Sequence, residues 1–106
     1  REAQEAAQKR LVNRAERAAS QIVKHMVAEY KPNAIHQAGS LVDSSRFTEI
    51  SDIDIAVSGL KPEELEEISD WADERSSFPI DLIDLDRATQ HHIDSITKKG
   101  RQVYPR

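Results

Sequence analysis

One long amphipathic stripe opens the chain and limits what the rest of it can fold into. From about residue 3 to residue 29, apolar residues recur at helical spacing, and strong helix formers fill the intervals. The stripe consists of Leu11, Ala15, Ala18, Ile22 and Met26, widened by Ala19, Val23 and Val27. Other elements must cover this apolar face, so the pattern predicts a helix over 3–30 packed against a small domain.

The opposite face of the predicted helix is basic, with Arg10, Arg14, Arg17 and Lys24. Such a face is most simply solvated, and the alternative is a surface for an acidic partner or for RNA held by one. The whole chain has a net charge of −4. This acidic balance argues against broad nucleic-acid binding, which usually needs a basic surplus.

Size and composition favour one globular domain. The 106 residues are enough for a single core, so we expect one domain over 1–106, with the long helix followed by a catalytic core at 33–104. Cysteine is absent, which excludes disulfides and thiolate metal sites and favours the cytoplasm. No apolar run is long enough to span a bilayer, and no segment resembles a signal peptide.

Strand and helix patterns alternate after residue 33. They predict strands at 34–38, 53–57 and 78–85, and helices at 62–76 and 88–99. Asp86 is the predicted N-terminal cap of the last helix, and Gly100 its C-terminal cap. This order predicts an α+β fold in which a small mixed β-sheet packs against helices.

Two aspartates alternate with apolar residues in the second predicted strand. Asp52 and Asp54 share one face, because side chains of a strand alternate with a period of two. Neighbouring carboxylates repel each other, and a divalent cation such as Mg²⁺ relieves that repulsion. Taken alone, the pattern more often marks a strand with a hydrated acidic face.

The third predicted strand carries another candidate. Asp81 shares its face with Ile83 and Leu85, whereas Asp84 lies on the other face. A carboxylate among apolar neighbours either lies at the exposed start of the strand or joins a metal site. Gly39-Ser40, at the end of the first strand, allows a sharp turn with exposed N–H groups that suit a phosphate.

The order Gly39-Ser40, an eleven-residue spacer, Asp52-Ile53-Asp54 and then Asp81 resembles the minimal nucleotidyltransferases of the DNA polymerase beta-like superfamily. The resemblance extends over residues 34–104 and includes MntA-type antitoxins of HEPN/MNT toxin–antitoxin pairs. It implies a polymerase beta-like nucleotidyltransferase fold. By the same resemblance, Asp52, Asp54 and Asp81 are catalytic residues that hold two Mg²⁺ ions, and Gly39 and Ser40 bind the phosphates of ATP.

The resemblance also implies a reaction and a partner. We expect transfer of AMP from ATP to a hydroxyl of a HEPN-domain toxin, in a complex where a second subunit completes the acceptor site. One alternative is transfer to a small molecule or nucleic acid, and another is a non-catalytic antitoxin that acts by binding its toxin. Leu41 and Val42 keep the last alternative open, because they stand where stand-alone members usually carry arginine and, soon after it, glycine.

Overall fold

The computed structural model describes residues 1–106 as three α-helices and one four-stranded sheet. The elements, in chain order, are α1 (Glu2–Glu29), β1 (Ala34–Ala38), β2 (Ile53–Ser58), α2 (Pro62–Arg75), β3 (Ile80–Asp84), α3 (Gln90–Lys99) and β4 (Arg101–Tyr104). Two short 3₁₀ turns, Gly39–Leu41 and Ser44–Arg46, lie between β1 and β2. None of the helices combines the length and apolar character needed to cross a membrane.

The sheet is mixed, with strand order β3-β2-β1-β4. β1 runs antiparallel to both β2 and β4, whereas β2 and β3 are parallel and connected through α2. β3 and β4 are therefore the two edge strands. The predicted α+β fold with a small mixed sheet is confirmed.

Helices cover both faces of the sheet, and each face has its own core. The larger core joins α1 and α2 to side chains such as Ile35, Ile53 and Ile55. The smaller core lies on the other face, where Ala56 and Leu85 pack with Ile96 of α3. Alternation along β2 therefore directs its isoleucines toward α1 and α2, and its aspartates toward the face that α3 covers in part.

The N-terminal half of α1 also holds the loop between β1 and β2. The side-chain Nε2 of Gln8 donates hydrogen bonds to the carbonyls of Ser44 and Phe47, both at 2.8 Å. Phe47 is 1% exposed and belongs to the larger core. The loop is thereby anchored both by the hydrogen bonds from the side chain of Gln8 and by a buried ring.

In the C-terminal part, one strand was missed and one predicted cap was wrong. β4 was not predicted, because Arg101-Gln102-Val103-Tyr104 shows too little alternation to mark a strand, and it forms only by pairing with β1. The cap of α3 is Thr89, whose Oγ1 accepts from the backbone N–H of His92. Asp86 instead accepts from the N–H of Gly59 at 2.7 Å, so it ties the end of β3 to the turn after β2.

Candidate active site

Adjacent parallel strands place two of the predicted carboxylates side by side. Asp54 on β2 is the register partner of Asp81 on β3. Register partners on parallel strands lie roughly 5 Å apart at the backbone and project from the same face of the sheet. The two side chains consequently share the face opposite to the larger core.

Asp52 lies just before β2, two residues from Asp54, and is exposed, whereas Asp54 is half-buried. The parity of the third strand separates Asp84 from this group. Asp84 pairs in register with Val57, and its Oδ2 accepts a hydrogen bond from Nη1 of Arg87 at 2.8 Å. Asp84 thus already has a partner that stabilises its charge.

The end of β1 closes against the same carboxylates. Ala38 is the register partner of Asp54, so Gly39 begins the 3₁₀ turn directly beside it. Gly39 has a φ of +71°, and a Cβ there would lie 2.9 Å from Cγ of Asp54 and still closer to its carboxylate oxygen. Only glycine permits this backbone conformation together with this contact. Ser40 follows in the same turn and is half-buried.

The carboxylates form a site of unbalanced negative charge. Burial, together with the nearby charges of Asp81 and Asp52, raises the pKa of Asp54 to about 6. The three salt bridges of the chain all lie elsewhere. A carboxylate whose pKa is raised by like charges, and which has no basic partner, is typical of sites that bind a cation.

The donor set can be compared with the needs of Mg²⁺. Nowhere in the structure do three Asp, Glu or His side chains converge closely enough to hold a metal ion by themselves. Mg²⁺ usually takes only one or two carboxylates from a protein and completes its shell with water and substrate phosphates. The residues present therefore fit Mg²⁺ that is held jointly with a nucleotide, and they do not fit a cage made by the protein alone.

One polar residue of β1 was not singled out from the sequence. Gln37 has the same parity as Ile35, so its side chain points toward the larger core, and it is only 6% exposed. Its Oε1 accepts from Nη2 of Arg101 on β4, whereas its Nε2 has no partner. The sequence feature that could have drawn attention to Gln37 is its place at a core-facing position of a predicted strand.

Comparisons with known proteins bear on the whole arrangement. A solved toxin–antitoxin complex with AMP-PNP is 22% identical, with a TM-score of 0.67 over 79% of this chain and 71% of that one. A mutant of the toxin–antitoxin complex MntA-HepT is 26% identical, with a TM-score of 0.68 over 81% of this chain and 71% of that one. The comparison with curated proteins finds no match.

A sequence family supplies the remaining comparison. The family described as polymerase beta, nucleotidyltransferase matches residues 20–106. This range contains every candidate site residue, from Gly39 to Asp81, and leaves out only the N-terminal part of α1. The chain is therefore a member of the polymerase beta nucleotidyltransferase family.

Proposed function

We propose that this protein transfers AMP from ATP, in the presence of Mg²⁺, to a hydroxyl of a helical HEPN-domain protein for which it acts as antitoxin. We further propose that residues 1–106 act as one nucleotidyltransferase domain, since α1 and the sheet contribute to the same core. The main support for the activity is the register of Asp54 with Asp81 beside the turn at Gly39. A structural role alone does not account for carboxylates that lie together without a cation.

Each part of the site has a separate task in this reaction. The exposed N–H groups of the turn at Gly39 and the hydroxyl of Ser40 bind the β- and γ-phosphates of ATP. Asp52, Asp54 and Asp81 are the oxygen ligands for two Mg²⁺ ions that accompany the nucleotide. When bound, Mg²⁺ neutralises the charge of the triphosphate and stabilises the charge that develops during in-line displacement.

The transfer needs no reactant other than ATP and the acceptor hydroxyl. The acceptor hydroxyl oxygen forms a bond to the α-phosphorus of ATP, and the bond from that phosphorus to the bridging oxygen of the β-phosphate breaks. Pyrophosphate leaves, AMP stays on the acceptor, and the carboxylate of Asp81 takes the hydroxyl proton. The chain contributes mainly positioning, which holds the hydroxyl, the phosphorus and the leaving oxygen in line.

The proposed partner follows from the relatives and from the open site. The solved relatives are toxin–antitoxin complexes, and one of them contains AMP-PNP. Asp52 and Asp81 are exposed, and neither lines any of the three main concave surfaces of the chain. A second protein that brings its own hydroxyl to the carboxylates would complete the site.

One observation favours a second candidate, an antitoxin that acts by contact alone. Leu41 stands where stand-alone relatives usually carry arginine, and it is 3% exposed within the larger core. Its side chain faces away from the site and adds no positive charge for a triphosphate. In this alternative the partner is bound and inhibited but never modified.

The decisive experiment combines the protein with a HEPN-domain protein, ATP and Mg²⁺, followed by intact mass spectrometry of the partner. We expect the mass to increase by one AMP. An Asp54→Ala variant should leave the partner unmodified. Asp84→Asn is the matched control, because Asp84 lies on the opposite face of β3 and should be dispensable.

Other outcomes separate the candidates. A partner that is bound and inhibited but keeps its mass would contradict transfer and support the contact-only antitoxin. Absence of any complex would contradict both and favour transfer to a small molecule or a nucleic acid. Radiolabelled ATP, supplied with RNA oligonucleotides as acceptors, would then test that class.

A further inference from the structure

A second concave surface lies away from the carboxylates, between α1 and the edge strand β4. Its walls are formed by the C-terminal half of α1 and by the exposed side of β4, and its floor includes Ile55. Val23 and Val27 line it from the helix, and Val103 and Tyr104 line it from the strand. These four side chains are only partly buried against the larger core, so each leaves apolar surface open to solvent.

One residue that lines this groove has a buried amide nitrogen without a hydrogen-bond partner. This residue is Gln37, of which only 6% is exposed. The amide orientation is fixed, because the guanidinium of Arg101 can only donate and therefore bonds to Oε1 at 2.9 Å. The unpartnered Nε2 is thus an N–H donor, and a buried donor without an acceptor costs free energy that a bound acceptor would recover.

The groove is basic although the chain as a whole is acidic. Lys24, Arg101 and Arg106 line it against the single carboxylate of Glu16, whereas the net charge of the chain is −4. None of the three basic residues takes part in a salt bridge. An occupant with acidic side chains would therefore find free counter-charges here.

The size of the groove indicates the kind of occupant. Its volume is about 1270 Å³. Small-molecule sites usually enclose about 300–1,000 Å³ and cover most of their ligand. A larger, open groove with apolar walls and basic margins suits a segment of another protein.

We propose that the groove between α1 and β4 is the docking site for an acidic, amphipathic segment of the HEPN-domain partner, with an acceptor oxygen of that segment on Nε2 of Gln37. This docking site rests on the proposed function, because that function requires a bound partner. The apolar residues of the partner's segment contact Val23, Val27 and Val103 of the groove. The carboxylates of the segment lie near Lys24 and Arg101.

The position of the groove relative to the carboxylates agrees with that role. Gln37 is two residues before Gly39, and its register partners are Ile55 on β2 and Arg101 on β4. Gln37 thus brings the groove close to the turn at Gly39, on the opposite face of the sheet from Asp54. Because β4 is an edge strand, a partner seated in the groove reaches the carboxylate face by passing around β4 and across β1 to Asp54 on β2.

The test uses two pairs of matched variants in binding assays with the HEPN-domain protein. Gln37→Glu keeps an oxygen for Arg101 but replaces the free N–H donor with a carboxylate, and we expect binding to weaken about tenfold or more. Gln21→Glu is its control, since Gln21 lies exposed on the outer side of α1. Lys24→Glu should weaken binding in the same way, whereas Arg17→Glu, outside the groove on the same helix, should leave it unchanged.

Further measurements distinguish this docking site from the proposed function. Gln37→Glu should still bind ATP with Mg²⁺, and Asp54→Ala should still bind the partner. A photo-cross-linking residue at Val27 should capture the partner, whereas one at Asp70 of α2 should not. Unchanged binding by Gln37→Glu and Lys24→Glu, or capture only at Asp70, would overturn the docking site while the transfer of AMP could still stand.

Three remaining outcomes also decide against the docking site. If Arg17→Glu weakens the complex and Lys24→Glu does not, the outer basic face of α1 is the contact. If sedimentation shows that the groove variants abolish self-association instead, the occupant is a second copy of this chain. No complex with the wild-type protein would overturn both the docking site and the proposed partner.

Discussion

Gly39 and Asp54 touch across the pairing of β1 and β2, so the backbone of one residue fixes the position of the carboxylate of the other. A Cβ at Gly39 would lie 2.9 Å from Cγ of Asp54. The turn that is proposed to bind phosphates and the strand that carries the carboxylates therefore cannot move independently. A change at either residue should alter both functions.

Gly39→Ala should abolish ATP binding and lower the free energy of unfolding by about 1–2 kcal/mol, because alanine disfavours a positive φ and its methyl group would displace Asp54. Gly59→Ala is the matched control. Gly59 also has a positive φ, +90°, and is crowded by Asn33, but it lies at the other end of β2. Denaturant unfolding should show a loss of stability in both variants, and isothermal titration should show that only Gly39→Ala loses the nucleotide. Retained ATP binding in Gly39→Ala would contradict the proposed phosphate turn.

Binding of ATP should depend on Mg²⁺, and a double variant with Asp52→Ala and Asp54→Ala should lose that dependence. The reason is that the carboxylates repel the triphosphate unless a cation lies between them. Calorimetric titration of ATP with Mg²⁺ and with EDTA measures the effect. If the wild type and the double variant bind ATP with the same affinity, both in Mg²⁺ and in EDTA, these residues do not hold a metal ion with the nucleotide.

Asp81→Asn should remove AMP transfer, whereas Asp84→Asn should keep most of it. The two residues lie on opposite faces of β3: Asp81 is beside Asp54, and Asp84 is beside Val57 and bonded to Arg87. Single-turnover transfer assays with both variants test this contrast. Because Asp84→Asn leaves Arg87 with a weaker partner, its thermal stability should be measured as well. Loss of transfer only in Asp84→Asn would contradict the proposed site.

Without metal, Asp54 should make the protein less stable as the pH rises from about 4 to about 7. The pKa of Asp54 is raised to about 6 in the folded chain, above its usual value of about 3.9, so the unfolded chain releases this proton first. The protonated carboxyl makes its full contribution to the free energy of unfolding below about pH 4. That contribution is lost as the pH rises through about 6. The advantage of Asp54→Asn over the wild type should therefore grow with pH, as measured by thermal unfolding in EDTA. An advantage independent of pH would show that Asp54 is not perturbed.

Period-two alternation was sufficient to predict which faces of β2 and β3 the aspartates occupy. In β2, Asp54 alternates with buried isoleucines, and in β3 the parity of Asp81 separates it from Asp84. The side-by-side register of Asp54 and Asp81 was not predictable from either segment alone, because it depends on how α2 returns the chain to the sheet. The functional roles of these residues stay predictions until they are measured.

Features set by tertiary contact were missed. β4 carries little pattern of its own and becomes a strand because β1 offers it hydrogen bonds. Asp86 has the residue type of a helix cap, but the N–H of Gly59 lies within reach and Thr89 takes the capping role. In the sequence, Gln37 is an ordinary polar residue of a short strand. Only the structure shows that it is buried and that its amide nitrogen has no partner, which draws attention to the groove.

The hydrogen bonds of Gln8 have a consequence for anyone who shortens this chain to its family core. The family match begins at residue 20, so it leaves Gln8 out. The hydrogen bonds that Gln8 donates to the carbonyls of Ser44 and Phe47 therefore depend on residues outside the match. Removing residues 1–19 would keep every candidate site residue. It would also uncover Phe47 and free the segment that joins Ser40 to Asp52. The part of the chain that the family match leaves out thus anchors the loop that joins the two segments of the candidate site.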